Sequence, residues 1–262
     1  MKIEISLNNN KYEIDVSKSY DISIPLDFEN KKINFYDDKA LSVDYLKFSN
    51  KEYNLEKKAA CNVPIINLNI HCSGTHTETA NHILKNGLKI NQIKIPHFIP
   101  CQLITVKPVV NTNESYHVDY DLSDKKITKS DIKDLIDLDT AFNQGLIIRT
   151  LPNSKLKLSY DYNKNNHPFL TNDAILFIKK MGFKHLIIDT PSIDKFDDKG
   201  KLGNHHIYFK NKNGLPNLNT LTEFAYIPNR VVNGKYFLSL NFPNFYLDTA
   251  PSRPILFPLK IK

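Results

Sequence analysis

Cysteine is scarce in this chain: three residues in 262, at Cys61, Cys72 and Cys101. An odd count at irregular spacing builds no disulfide framework. The thiols are left free for other chemistry, and a reducing cytoplasmic setting is the default expectation. Runs of about 18 apolar residues are absent, so no segment is suited to crossing a membrane as a helix. The opening MKIEISLNNNKYEIDV lacks the apolar stretch of a signal peptide. Long basic runs are missing too. Lys and Arg number 35 against 28 Asp and Glu, a formal charge of +7, yet the lysines come in ones and twos (Lys31-Lys32, Lys57-Lys58, Lys125-Lys126, Lys179-Lys180). A dispersed excess of this kind reads as a solvated surface, so neither nucleic acid nor membrane is an expected partner.

What is present is ordinary globular material, 41% hydrophobic and 24% charged. The length supports a large core without staples. No linker, repeat or shift of composition divides it, so one domain over residues 1–262 is expected, with residues 1–19 as an N-terminal hairpin extension. Alternation over 2–7 and 11–16 predicts that hairpin. Residues 63–71 and 99–110 read as strands, 79–87 as a short helix closed by Gly87, and 130–136 as a helix capped by Ser130. Gly145 to Thr150 reads as a buried strand. Thr171 caps a helix through Met181 that Gly182 closes, and a strand at 185–189 follows. This helix–Gly–strand step is the strongest α/β signal. Short strands are predicted at 207–209, 223–227 and 235–241, with a Pro-rich tail from Pro251.

Chemistry concentrates in Ile70-His71-Cys72-Ser73-Gly74-Thr75-His76-Thr77-Glu78-Thr79-Ala80-Asn81-His82. Cys72, His76, Glu78 and His82 share one parity, which on an extended chain places them on one side. Gly74 on that side leaves room for an ion or substrate, and thiolate, imidazole and carboxylate all ligate zinc. A lone His or free Cys is usually structural; four such groups flanking a glycine outweigh that reading. Further ligands are expected from Gly203-Asn204-His205-His206 and from Glu223, whose carboxylate sits among apolar residues and needs a partner or a metal.

These motifs resemble the cyclase / kynurenine formamidase-like family of metal-dependent hydrolases. Gly74-Thr75-His76 matches that family's core motif and His82 its final His. Glu78 stands where the family has Asp, and Cys72 where it has the first His. Asp21 to Leu26, Ile147 to Thr150, Ile188 to Asp194 and Ala250 to Pro254 are similar to other family segments, so the likeness runs from about residue 20 to the C-terminus. It implies an α/β domain of the swivelling β/β/α type, with a mixed sheet and flanking helices. It also implies a divalent metal, zinc first and manganese second, with one or two ions per chain. Carried over, Cys72, His76 and Glu78 hold one ion, while Glu78, His205 and Glu223 hold another; His71 serves in place of Cys72 if the backbone bulges. His82 becomes the acid/base residue, and a homodimer or homotetramer is implied.

The leading expectation is hydrolysis of a C–N bond in an amide, formamide or cyclic amide through metal-activated water, on a small-molecule substrate. The alternatives are a cyclase or dehydratase on the same scaffold, and a non-catalytic metal- or ligand-binding homologue. Thr75, Thr77 and Asp189 are candidates to orient the ligating histidines. Arg149 is a candidate to bind a substrate carboxylate. Tyr20, Phe28, Phe35 and Tyr36 are candidates to line a pocket.

Overall fold

Apolar residues alternate near the chain's ends and run continuously in its middle, and the two patterns build different parts of one sheet. The structure is a computed structural model that describes residues 1–28, 33–36 and 41–262. Strand β1 (Lys2–Leu7) turns at Asn8 and Asn9 into β2 (Asn10–Asp15). Both turn residues adopt positive φ, a region Asn tolerates well. A two-residue β3 (Tyr20–Asp21) follows. Next, β4 (Leu41–Tyr45), β5 (Lys47–Phe48), β6 (Lys51–Glu52) and β7 (Pro64–Leu68) form two small antiparallel pairs, β4 with β7 and β5 with β6.

One helical turn, α1 (Ile70–Ser73), leads into β8 (His76–Thr79), and β9 (Ile99–Val106) comes next. Strand β10 (Lys126–Ile127), helix α2 (Lys129–Lys133), β11 (Gly145–Thr150) and β12 (Phe169–Leu170) follow. Helix α3 (Asn172–Lys180) precedes β13 (His185–Ile188), and helix α4 (Gly203–Phe209) precedes β14 (Thr220–Glu223). Strands β15 (Gly234–Asn241), β16 (Thr249–Pro251) and β17 (Arg253–Ile261) end the chain.

The main sheet runs β1-β2-β17-β15-β9-β11-β13-β14-β8-β16, with β3 also on β17. Its centre, β9-β11-β13-β14, is parallel, and its flanks are antiparallel. Strands β11 and β13 carry apolar runs, Leu146-Ile147-Ile148 and Leu186-Ile187-Ile188, because both of their faces are covered. Leu146, Ile148, Leu186, Ile188 and Leu221 pack on one face against Ala174, Ile175 and Ile178 of α3 and Tyr208 and Phe209 of α4. Ile147 and Ile187 pack on the other face with Ile99, Leu103, Ala225, Ile227 and Leu238. This is the expected α/β arrangement of a mixed sheet with flanking helices. Among the described residues no helix is long and apolar enough to cross a membrane.

Several local expectations give way. Residues 64–68 do form a strand, but an exposed one, and the chain then coils into α1 instead of continuing extended. Residues 79–87 hold only a 3-10 turn at Ala80–His82. The 207–209 segment is the end of α4, and the tail beyond Pro251 is the long strand β17, which lies inside the main sheet between β2 and β15. Helix α2 is capped by Thr128, which accepts from the Asp131 amide while Asp131 accepts from the Thr128 amide; Ser130 lies inside it. Thr171 caps α3 as its sequence predicts.

Two histidines in this frame carry a pH liability. Burial lowers the pKa of His167 to about 4 and that of His185 to about 4. The unfolded chain titrates near 6.5, so it binds protons that the native state refuses. Stability is therefore complete above about pH 6.5 and declines as pH falls toward 4. The loss approaches roughly 3 kcal/mol for each ring. Thermal unfolding followed from pH 7.5 to pH 4.5 should show this decline, with a shallower slope in His185→Gln; an unchanged slope would refute the assignment.

Candidate metal centre and catalytic site

Strand β8 positions the first two groups. His76 and Glu78 are two residues apart and share the face of the sheet that the helices cover, while Thr77 and Thr79 point the opposite way. Antiparallel pairing sets His76 opposite Glu223, the last residue of β14, with His76 Nε2 3.5 Å from Glu223 Oε2. The strand leaves the sheet at once, because Phe224 adopts φ 54, a costly conformation for a bulky residue. Two bonds hold that kink: Phe224 N donates to Thr190 O at 2.9 Å, and the Thr75 hydroxyl donates to Phe224 O.

Helix α4 brings His205 over the sheet, with Nε2 3.2 Å from Glu78 Oε1 and 3.7 Å from Glu223 Oε1. His71 arrives from α1, its Nδ1 3.3 Å from Glu78 Oε2. His82 arrives through the 3-10 turn, its Nε2 3.8 Å from the same oxygen. Glu78 is thus central, with one oxygen facing His205 and the other facing His71 and His82.

The outward nitrogen of each ring is anchored. His76 Nδ1 meets Gly74 O at 3.0 Å, and His205 Nδ1 meets Asp194 Oδ2 at 2.6 Å. His71 Nε2 and His82 Nδ1 both meet Asp248 Oδ2 at 3.1 Å. All of these partners are acceptors, so the outward nitrogens carry the protons, an assignment made from the partner each ring faces. In their neutral forms the four rings then present lone pairs inward, toward carboxylate oxygens that also carry lone pairs. Glu78 is fully buried, and neither of its oxygens, nor His76 Nε2, is satisfied by a hydrogen bond. Such an arrangement is costly unless positive charge lies among these atoms.

The titration behaviour says the same. Burial raises the pKa of Glu78, but the charges of His82 and His205 outweigh it and hold the carboxyl well below its usual range. Burial opposes a charged His71, yet Asp248 and Glu78 push it up to about 10. His205 is likewise held well above its ordinary value against its burial, by Glu78 and Asp194. The residues fit a divalent cation. Two groups share Glu78, namely His71–His76–Glu78 and Glu78–His82–His205, and each offers nitrogen and oxygen donors within 4.8 Å of one another.

The sequence-derived set is thereby partly rearranged. His76, Glu78, His82, His205 and Glu223 come together. Cys72 is buried in α1 and belongs to none of the metal-competent groups among the described residues. The parity argument needs extended backbone, whereas residues 70–73 coil, and a helical turn rotates successive side chains by about 100°. His71 therefore takes the place beside Glu78. Gly74 does not open space for an ion: a Cβ there would lie 2.8 Å from the Leu26 side chain, and its φ is 155.

Arg149 is committed elsewhere, donating to Thr105 Oγ1, Pro228 O, Val231 O and Asn233 Oδ1. Asp189 receives Thr150 N, Thr150 Oγ1 and Lys157 Nζ, and Thr77 bonds Thr222. Thr75, Thr77 and Asp189 therefore brace backbone and strand ends, and their side-chain hydrogen bonds go to groups other than the four imidazoles. Of the aromatic candidates, Phe35 packs edge-on against Phe224, and Tyr36 stacks on Phe196 at 4.7 Å. Tyr20 packs against the second core.

Asp194 and Asp248 are the groups that sequence reasoning missed. Asp194 closes the Ile188–Asp194 segment and also accepts from Asn204 N at 2.9 Å and from the Tyr116 hydroxyl at 3.1 Å. A carboxylate gripping the outward nitrogen of a ligating His fixes both ring orientation and basicity. Asp194→Asn should therefore weaken metal binding about 10–100-fold in a competitive chelator titration; unchanged affinity would remove Asp194 from this role.

Comparison with known proteins finds relatives of this chain in both sequence and structure. The Cyclase family model matches residues 20–195. Kynurenine formamidase of Bacillus thuringiensis subsp. konkukian (strain 97-27) is 24% identical over 206 residues, which cover 78% of this chain and 84% of that protein. The Bacillus anthracis kynurenine formamidase is 26% identical over 195 residues, covering 74% and 78%. Among solved structures, a potential metal-dependent hydrolase with cyclase activity superposes with a TM-score of 0.60 at 19% identity, over 92% of this chain and 97% of that one. An isatin hydrolase bound to the product analogue thioisatinate superposes with a TM-score of 0.59 at 12% identity, over 93% of both chains.

Proposed function

The chain belongs to the Cyclase family, and from that premise we propose that it is a metal-dependent hydrolase cleaving a C–N bond of a small amide, formamide or cyclic amide. One observation carries the reading: His71, His76 and His205 are each anchored on the outside and aimed at Glu78 or Glu223, around a buried carboxylate whose oxygens no hydrogen bond satisfies. On this reading His71, His76 and Glu78 hold one ion. Glu78, His205 and Glu223 hold a second where two are bound. Zinc suits nitrogen and oxygen donors of this number, with manganese the alternative. When bound, the ion supplies Lewis acidity, lowering the pKa of a water and polarising a carbonyl.

The chain's own residues do the rest. His82 holds its inward nitrogen beside the cluster, where it takes the proton of the attacking water and returns it to the leaving nitrogen. Glu223 is fixed by the Ile193 amide at 3.0 Å, so its carboxylate needs little reorganisation. The formamidase relatives make an aryl formamide the first substrate to try, and the isatin hydrolase neighbours a cyclic amide. The resemblance also supports a homodimer or homotetramer.

The test is turnover of an aryl-formamide and cyclic-amide panel by zinc-loaded protein, with metal content measured alongside. His82→Ala should keep its zinc and lose about 10²–10⁴-fold in kcat. Full activity in that variant, or no metal uptake by the wild type, would overturn the reading.

A further inference from the structure

We propose that Asp248 is a positioning residue that fixes the tautomer of His82 and, through the same oxygen, the ring of His71; the proposal rests on His82 being the acid/base group. Asp248 is the only acidic residue of Phe242-Pro243-Asn244-Phe245-Tyr246-Leu247-Asp248-Thr249, and nothing in that sequence marks it. In the structure its Oδ2 lies 3.1 Å from His71 Nε2 and 3.1 Å from His82 Nδ1. The two rings stack with centroids 4.2 Å apart and planes 30° from parallel, so one oxygen reaches both edges.

A carboxylate only accepts. Both ring atoms facing it must therefore carry hydrogen, which leaves His82 protonated at Nδ1 with its Nε2 lone pair toward Glu78. A free neutral imidazole favours the opposite tautomer, in which Nε2 carries the proton and has no basic lone pair there. Without Asp248, most neutral His82 would face the reacting centre with the wrong atom. The same logic governs His71, whose Nε2 proton on Asp248 leaves Nδ1 free to ligate.

Asp248 is well placed for the task because its backbone is tied to the strand that carries Glu78. Its carbonyl accepts from Thr79 N at 3.0 Å and from Thr79 Oγ1 at 3.3 Å. The next residue, Thr249, pairs with Glu78 in the sheet, and its hydroxyl donates to Thr77 O at 3.0 Å. On the other side Leu247 O accepts from Ile90 N at 2.7 Å. The carboxylate is therefore held against β8 and its histidines by backbone bonds on both sides. It is half-buried, as are the two rings it touches. Once His82 has taken up a proton, the same oxygen faces an imidazolium, so no group has to move within the proton-transfer cycle.

The experiment uses the full chain loaded with zinc and labelled with nitrogen-15 in its histidine rings. His82 is assigned by comparison with His82→Gln. The expected result is a protonated Nδ1 and an unprotonated Nε2 at His82 in the wild type and in Asp248→Asn, whose amide oxygen still accepts. In Asp248→Ala the proton shifts to Nε2. A wild-type His82 already protonated at Nε2, or a tautomer unchanged in Asp248→Ala, would overturn the proposal. On any substrate the wild type hydrolyses, Asp248→Ala at saturating zinc should lower kcat about a hundredfold. The same change made in His82→Ala should add nothing. An equal loss in both backgrounds would mean that Asp248 does not act through His82. If the wild type hydrolyses nothing, the hydrolase reading fails and the tautomer measurement alone decides the role of Asp248.

Discussion

Replacing Glu78 by Gln should remove metal and turnover together. The carboxylate is fully buried, faces three imidazoles and belongs to two of the four metal-competent groups among the described residues. An amide of the same shape offers one oxygen for two and no charge. Its NH2 group would also aim hydrogens at ring nitrogens whose lone pairs the site needs. Metal-ion stabilisation of the developing charge is worth several kcal/mol. Losing about 4 kcal/mol of it corresponds to roughly a thousandfold in kcat/KM. Elemental analysis of Glu78→Gln, purified without added metal, should find less than one equivalent of any divalent ion, with activity down by that order. Stoichiometric metal with wild-type kinetics would show that Glu78 is not the shared ligand.

The second large effect separates neighbours in the sequence. His71→Ala should lose the metal that Cys72→Ala keeps. The comparison is sharp because the family resemblance puts Cys72 in the ligand position, whereas the geometry puts His71 there. His71 Nδ1 is 3.3 Å from Glu78, and its ring stands 5.0 Å, centroid to centroid, from that of His76. Cys72 is a small buried residue of a helical turn, and truncating it removes one sulfur from a packed site. A chelator competition on both variants decides the matter: loss of metal in Cys72→Ala with retention in His71→Ala would restore the thiolate as ligand. The substitution also bears on chemistry, since imidazole for thiolate keeps the cluster less negative and the bound ion a stronger Lewis acid.

Legibility in the sequence followed the reach of each rule. The apolar runs marked β9, β11 and β13 as strands because burial on both faces leaves little polar alternation to misread, while their parallel pairing came from the structure. Thr171 and Gly182 were readable because capping depends on residues a few positions apart. The sequence also marks His76, Glu78, His82, His205 and Glu223, since ligand types at close spacing or in a recognisable motif carry their own signal. Cys72 was favoured over His71 because parity assumes extended backbone, and nothing in Asn69-Ile70-His71-Cys72-Ser73 announces a helical turn. Arg149 looked free because its carbonyl partners, at Pro228 and Val231, are some eighty residues away in the chain. Asp248 was invisible for the same reason: its partners, His71 and His82, lie 177 and 166 residues earlier.

The place of β8 in the sheet has a consequence during synthesis. That strand lies between β14 and β16, so His76 and Glu78 acquire neighbours only after residues 220–223 and 249–251 exist. At ordinary translation speeds the delay between Glu78 and Glu223 is on the order of ten seconds. During it the His71–His82 segment still lacks Glu223 and Asp248, the carboxylates that face its histidines in the finished fold. A nascent chain stalled before residue 220 should bind zinc weakly, and one released after residue 251 tightly. Metal acquisition would then report that the last third of the chain has folded, in the manner of a completion signal.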